Sequence, residues 1–163
     1  MKTASFDLPK VNIDEEQVAD LISGAMSDTC GFDWWKENPR EYEQAKEQLV
    51  KESEDPDEIC YENVLARVLF NGGAVEVLES ESDWHWKGHE DGEMLWNWQI
   101  QAEGTEPEGG TWHKITLSKL CDGIAKYMSD KGYSSVNKIL EEGDFWDFDA
   151  IFQYAAYGEI VFG

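Results

Sequence analysis

The sequence predicts an α+β fold: one domain over residues 1–163, in which a short antiparallel sheet of about three to four strands packs with about four to five helices. Runs with apolar residues at helical spacing sit among runs that alternate with period two, and glycine-containing turns join the latter. The length suits one core. A composition of 41% hydrophobic and 13% aromatic residues can build that core despite a formal net charge of −22, a charge that would leave an aromatic-poor chain disordered.

Thr3 to Leu8 reads as a short opening strand. Asp14 then caps a helix whose first turn holds Glu15 and Glu16 and whose stripe is Val18, Leu21, Ile22 and Ala25. Gly31 ends that pattern, and Phe32 to Trp35 is a strand or a packed aromatic turn. Trp34 and Trp35 cannot both be buried in a regular strand, since adjacent side chains point to opposite faces. Pro39 opens a helix through Ser53 with a thin apolar stripe (Tyr42, Ala45, Leu49, Val50), which makes it peripheral.

Glu52 to Glu62 is acidic, lacks a basic residue except beyond its ends, and begins as a loop at Pro56. Tyr61 to Phe70 carries Val64, Leu65, Val68 and Leu69, a core-facing helix closed by Asn71-Gly72-Gly73. Ala74 to Leu78 is a strand with one buried face. Residues 79–93 form an acidic insertion, read as a long hairpin loop.

Met94 to Ala102 alternates, with Trp96, Trp98 and Ile100 on the expected core face. After a turn at Glu103 to Gly110, Trp112 to Ile115 is the next strand, and the three runs pair most simply as an antiparallel meander. Thr116 or Ser118 starts a helix through Lys131-Gly132 with the stripe Leu117, Leu120, Cys121, Ile124 and Met128. A last helical region from about Ser134 breaks near Gly143 and ends in a docked helix and a short apolar tail.

Three widely spaced cysteines, Cys30, Cys60 and Cys121, form no C-x-x-C pair and read as reduced thiols. The start of the chain has no apolar signal region and no run of eighteen apolar residues occurs. The expected setting is therefore cytoplasmic, with no membrane partner. The charge also repels nucleic acid and attracts basic protein grooves. Salt-adapted proteins are similarly acidic, but they tend to trim the large apolar side chains in which this chain is rich.

His85 and His89 have the spacing of two ligands on one helical face, with Asp83, Glu90 and Asp91 as oxygen donors. Gly88 and two tryptophans argue against a helix there, and a solvent-exposed polar loop is the favoured reading. Asp144, Asp147 and Asp149 lack the register of a calcium loop and read as a helix cap with its acidic first turn. No nucleophile-elbow, Walker, dinucleotide-binding or C-x-x-C motif is present. No catalytic residue, metal site or cofactor is assigned, and the chain is not read as an enzyme.

What remains is a binding surface. Trp96, Trp98 and Trp112 read as core, whereas Trp34, Trp35, Trp84, Trp86 and Trp146 lie in acidic or loop-like contexts, as apolar anchors within an electrostatic surround. The candidate partner-binding residues are Glu54, Asp55, Asp57, Glu58, Glu81, Asp83, Trp84, Trp86, Glu90, Asp91, Asp144, Trp146 and Asp147. They come from three acid-rich stretches, Glu52 to Glu62, Glu76 to Glu93 and Glu141 to Asp149, which act together if the fold gathers them on one side.

Three blocks carry a resemblance: Val68 to Ser80 (VLFNGGAVEVLES), Lys114 to Met128 (KITLSKLCDGIAKYM) and Asp149 to Gly163 (DAIFQYAAYGEIVFG). They cover about half the chain, the last being the specific one, and together resemble a family of small acidic phage and prophage proteins of gut Firmicutes. That resemblance implies a phage-encoded, anti-CRISPR-type inhibitor in the bacterial host cell. Its partner would be a bacterial defence protein with a basic groove, such as a Cas effector, occupied stoichiometrically by carboxylates in place of phosphates. The alternatives are a small metal-dependent or nucleotide-handling enzyme using the His85 and His89 loop, and a self-assembling phage regulatory protein.

Overall fold

The computed structural model describes residues 8–27 and 30–163; residues 3–7 of the expected opening strand lie outside them. Among the described residues the order is α1 (Glu15–Ser27), β1 (Phe32–Glu37), α2 (Pro39–Glu52), α3 (Tyr61–Phe70), β2 (Ala74–Glu79), β3 (Trp84–Trp86), α4 (Asn97–Glu103), β4 (Pro107–Gly109), β5 (Trp112–Thr116), α5 (Leu117–Lys131), α6 (Val136–Glu142) and α7 (Phe145–Tyr157). The class is α+β, with two small antiparallel sheets ordered β1-β2-β5 and β3-β4.

The helix signals in the sequence act as physical chemistry requires. Asp14 Oδ1 accepts the Gln17 N–H at 2.9 Å while the Gln17 side chain accepts the Asp14 N–H at 3.0 Å, a reciprocal cap for α1. Asn38 takes the N–H groups of Arg40 and Glu41 ahead of Pro39 in α2. Thr116 caps α5, which stops where Gly132 turns left-handed. As its thin stripe predicts, α2 buries only Ala45, against Val64 and Val68 of α3. Arg67 of α3 reaches Glu15 of α1 at 2.6 Å and grips Glu52 of α2 with two nitrogens at 3.0 and 2.7 Å, so one guanidinium ties three helices.

The meander is a different one from that expected. Residues 94–102 do not form a strand; α4 occupies Asn97–Glu103. The third strand of the main sheet is β1, paired antiparallel to β2 with an irregularity at Asp33, and β5 pairs on the other side of β2. The period-two pattern at 94–102 is outweighed by Gln99, Gln101, Ala102 and Glu103, all better helix than strand formers, and by Gly104, whose φ of 61° ends the turn.

The two faces of the main sheet differ. Trp35, Val77 and His113 share a register line facing the helices, where the Trp35 ring meets Phe152 at 5.0 Å and His113 meets Tyr157 at 4.8 Å. Trp34, Leu78 and Trp112 form the adjacent line on the opposite face. There Trp34 packs edge-on against Trp86 at 5.5 Å, and Lys36 lies 3.7 Å over the Trp112 ring. The adjacent tryptophans thus divide between the faces, as strand geometry demands.

Two glycines seat α7. A β-carbon on Gly24 of α1 would stand 2.2 Å from the Phe148 ring, and one on Gly123 of α5 would stand 2.8 Å from the Ala155 nitrogen and the Ile151 carbonyl oxygen. Asp149, Gln153 and Tyr157 make a polar stripe along the same helix at i, i+4 and i+8. Asp149 accepts the Gly31 N–H at 3.2 Å and a Gln153 amide hydrogen at 2.7 Å. The same Gln153 nitrogen donates to the Phe162 carbonyl at 2.7 Å, and its oxygen accepts the N–H groups of Val161 and Phe162 at 2.8 and 2.9 Å. Tyr157 donates to the Gly31 carbonyl at 2.6 Å. Burial, with Glu79, Asp149 and Asp33 nearby, raises its phenol above the usual range, so it donates as a neutral hydroxyl.

Two expectations follow. Gly123→Ala should lower the unfolding free energy by about 1–3 kcal/mol in urea titration, because the contact it meets is backbone and cannot rotate away. Gln153→Leu should lower it by roughly 2–4 kcal/mol, through the tail N–H groups it leaves without an acceptor and the hydrogen bond that Asp149 loses.

Candidate partner-binding surface

Between β2 and β5 the chain leaves the main sheet as an arm, residues 80–111. Its base is the β3-β4 pair, in register Trp84 with Gly109 and Trp86 with Pro107. Trp84 donates its indole N–H to Asp33 at 2.8 Å, Trp84 and Trp86 meet edge-on at 5.0 Å, and Trp86 is only 9% exposed. These apolar rings lie over the outer face of the sheet, against Trp34. The acidic loop tryptophans therefore fasten the arm to the body.

Beyond the base, the loop folds on α4 through histidines. The His89 ring nitrogens lie 3.1 Å from Glu93 and 2.6 Å from Glu103, while His85 Nδ1 lies 3.1 Å from Asp91. Hydrogen bonding to Glu103 is the main influence on His89 and raises its pKa, with Glu93 adding to it. The pair sits on a strand and the turn after it rather than on one helical face. Among the described residues no trio of His, Cys, Asp or Glu is placed to hold a metal ion.

The most exposed large apolar side chains lie at the arm's far end. Met94, Trp96 and Trp98 are 91%, 71% and 67% exposed, at the entry to α4 where a core face was expected. Burying neither indole leaves a large apolar area in water, the mark of an interaction site. Glu90, Asp91 and Glu93 are exposed just before them and Glu103 just after. Over residues 80–111 there are eight carboxylates (Glu81, Asp83, Glu90, Asp91, Glu93, Glu103, Glu106, Glu108) against one lysine, Lys87.

The other predicted residues lie elsewhere. Glu54, Asp55, Asp57 and Glu58 are exposed in the turn between α2 and α3, where Asp55 caps a short 3-10 segment. Glu81 and Asp83 are exposed at the arm's root. Asp144 accepts the N–H groups of Trp146 and Asp147, and Asp147 returns a bond to the Asp144 N–H at 2.9 Å. That is the cap expected of them, while Asp149 is buried in the α7 stripe. Trp146 is 49% exposed beside this cap.

The arm covers the outer face of the main sheet and α7 its inner face, so Trp84 and Trp86 stand across the sheet from α7, whereas Glu79, in the same acid-rich stretch, lies near Tyr157 of α7. Trp96 and Trp98 are exposed rather than core because α4 replaces the strand that alternation predicts; the QIQAEG run with its closing glycine is the sequence signal for that helix.

The chain matches no family model, no curated protein and no solved structure. No helix among the described residues is long and apolar enough to cross a membrane.

His89 should titrate above the ordinary imidazole value of about 6.5 when followed by NMR. Since its folded-state pKa is raised, its contribution to holding the loop is complete below that ordinary value and is lost as pH rises through the folded-state one. Hydrogen exchange of the amides in residues 87–93 should therefore quicken, beyond the intrinsic pH effect, across that window. His89→Gln should remove the pH-dependent part.

Proposed function

We propose that the protein is a stoichiometric binder that places the aromatic end of its arm in a basic groove of another protein, and that the groove is the nucleic-acid-binding channel of a bacterial immune effector such as a Cas nuclease. The exposure of Trp96 and Trp98 on an arm with eight carboxylates and one lysine carries the docking half of this reading. Aromatic side chains supply anchoring area at low entropic cost, and carboxylates complement the cations that normally hold phosphate. The choice of an immune effector rests on the resemblance of the closing sequence block alone. In this reading the phosphate-like surface is the arm.

The −22 charge opposes the self-assembly alternative, since copies repel one another. Light scattering across concentration separates the two, because a binder of this kind stays monomeric.

Against a Cas effector loaded with guide, Trp96→Ala and Trp98→Ala should each weaken binding by about thirtyfold, roughly 2 kcal/mol, with the fold intact by circular dichroism. Binding should also weaken steadily as salt rises and should compete with target DNA. Salt-insensitive binding, or a ternary complex with DNA still in place, would sink the phosphate-replacement mechanism.

A further inference from the structure

We propose that the outer edge of β1 receives an extended basic segment of a protein partner as an added strand. The inference rests on the binder reading above and names how such a partner would engage. Among the described residues β1 is an edge of the main sheet. A cleft of about 520 Å³ is lined by four consecutive residues of it, Trp34, Trp35, Lys36 and Glu37. Consecutive strand residues point to alternate faces, so a cleft touching all four runs along the strand edge and not over one face. Its length suits a short strand, whose backbone groups would complete those at the edge.

The two walls have different chemistry. Tyr61 and Pro39 stand on the side of the helices, with the Tyr61 hydroxyl bonded to Glu37. On the other side stand Ile100 and Glu106 of the arm. An added strand would alternate accordingly, apolar side chains toward Trp35 and Tyr61 and basic ones toward the acidic arm. Lys36, the sort of charge by which edge strands resist pairing, is drawn over Trp112. The indole N–H of Trp35 is buried with no hydrogen-bond partner among the described residues, an arrangement rare enough to call for an acceptor. A carbonyl of the incoming strand supplies one.

The test uses the full chain and two blocked eight-residue peptides of alternating Lys and Val, one N-methylated at alternate amides so that charge and side chains are kept while half the backbone donors are lost. The unmodified peptide should shift the Trp35 indole resonance in NMR and slow hydrogen exchange along Trp34 to Glu37. The methylated one should bind about tenfold more weakly or less. Trp35→Phe, which keeps a ring in place and removes the donor, should also weaken the unmodified peptide severalfold. Equal affinity for both peptides, or no binding at millimolar concentration, overturns the added strand. Shifts confined to Trp96 and Trp98 overturn it too, while leaving the aromatic docking of the arm standing.

Discussion

A carboxylate buried in the core is the constraint on which the rest of the structure depends. Asp149 is 2% exposed, and a carboxylate in that position destabilises the fold unless its oxygens are bonded. Its partners come from Gly31, at the entry to β1, and from Gln153, which also holds the closing tail. Tyr157 bonds the same Gly31 from one turn further on. The stripe thus fixes where β1 begins, and so places Trp35 in the core and Trp34 on the outer face. This also gives a physical account of why the closing sequence block is distinctive: D-x-x-x-Q-x-x-x-Y is the spacing that puts three polar side chains on one buried side of a helix.

From the position of β1 follows the position of the arm. Its base needs an apolar floor, and Trp34 with Leu78 provides it. Asp33, at the irregularity in β1, adds a bond to Trp84. With the base fastened in this way, the far end of the arm has no need to return to the core, and Trp96 and Trp98 are left in water. Trp34, Trp35, Trp84 and Trp86, expected as anchors, pack within the structure, Trp146 is 49% exposed, and two expected as core are exposed. Each change is one consequence of where a single strand was placed.

Charge is distributed by the same logic. Arg67, gripping Glu15 and Glu52, neutralises acid where three helices converge, and the hydrogen bond it gives lowers the Glu52 pKa. Asp144 and Asp147 serve their helix terminus. Among the described residues the arm's carboxylates have only Lys87 and the histidines as basic partners. Part of the acidity is thus used inside the fold, while the arm keeps eight carboxylates against one lysine.

The sequence by itself determined the elements whose signals are local. The caps at Asp14, Thr116 and Asp144, the start at Pro39, the stop at Gly132, the bounds of α3 and the thinness of α2 were all legible, because a helix end is satisfied by residues within a turn of it. The α+β class followed from those periods. Which strand stands beside β2, which tryptophans reach water and which acids share a surface were decided only in three dimensions. Each depends on contacts between residues far apart in the chain, such as Trp34 with Trp86 and Gly31 with Asp149, and a period of two at residues 94–102 carries no information about whether a sheet has a place for it.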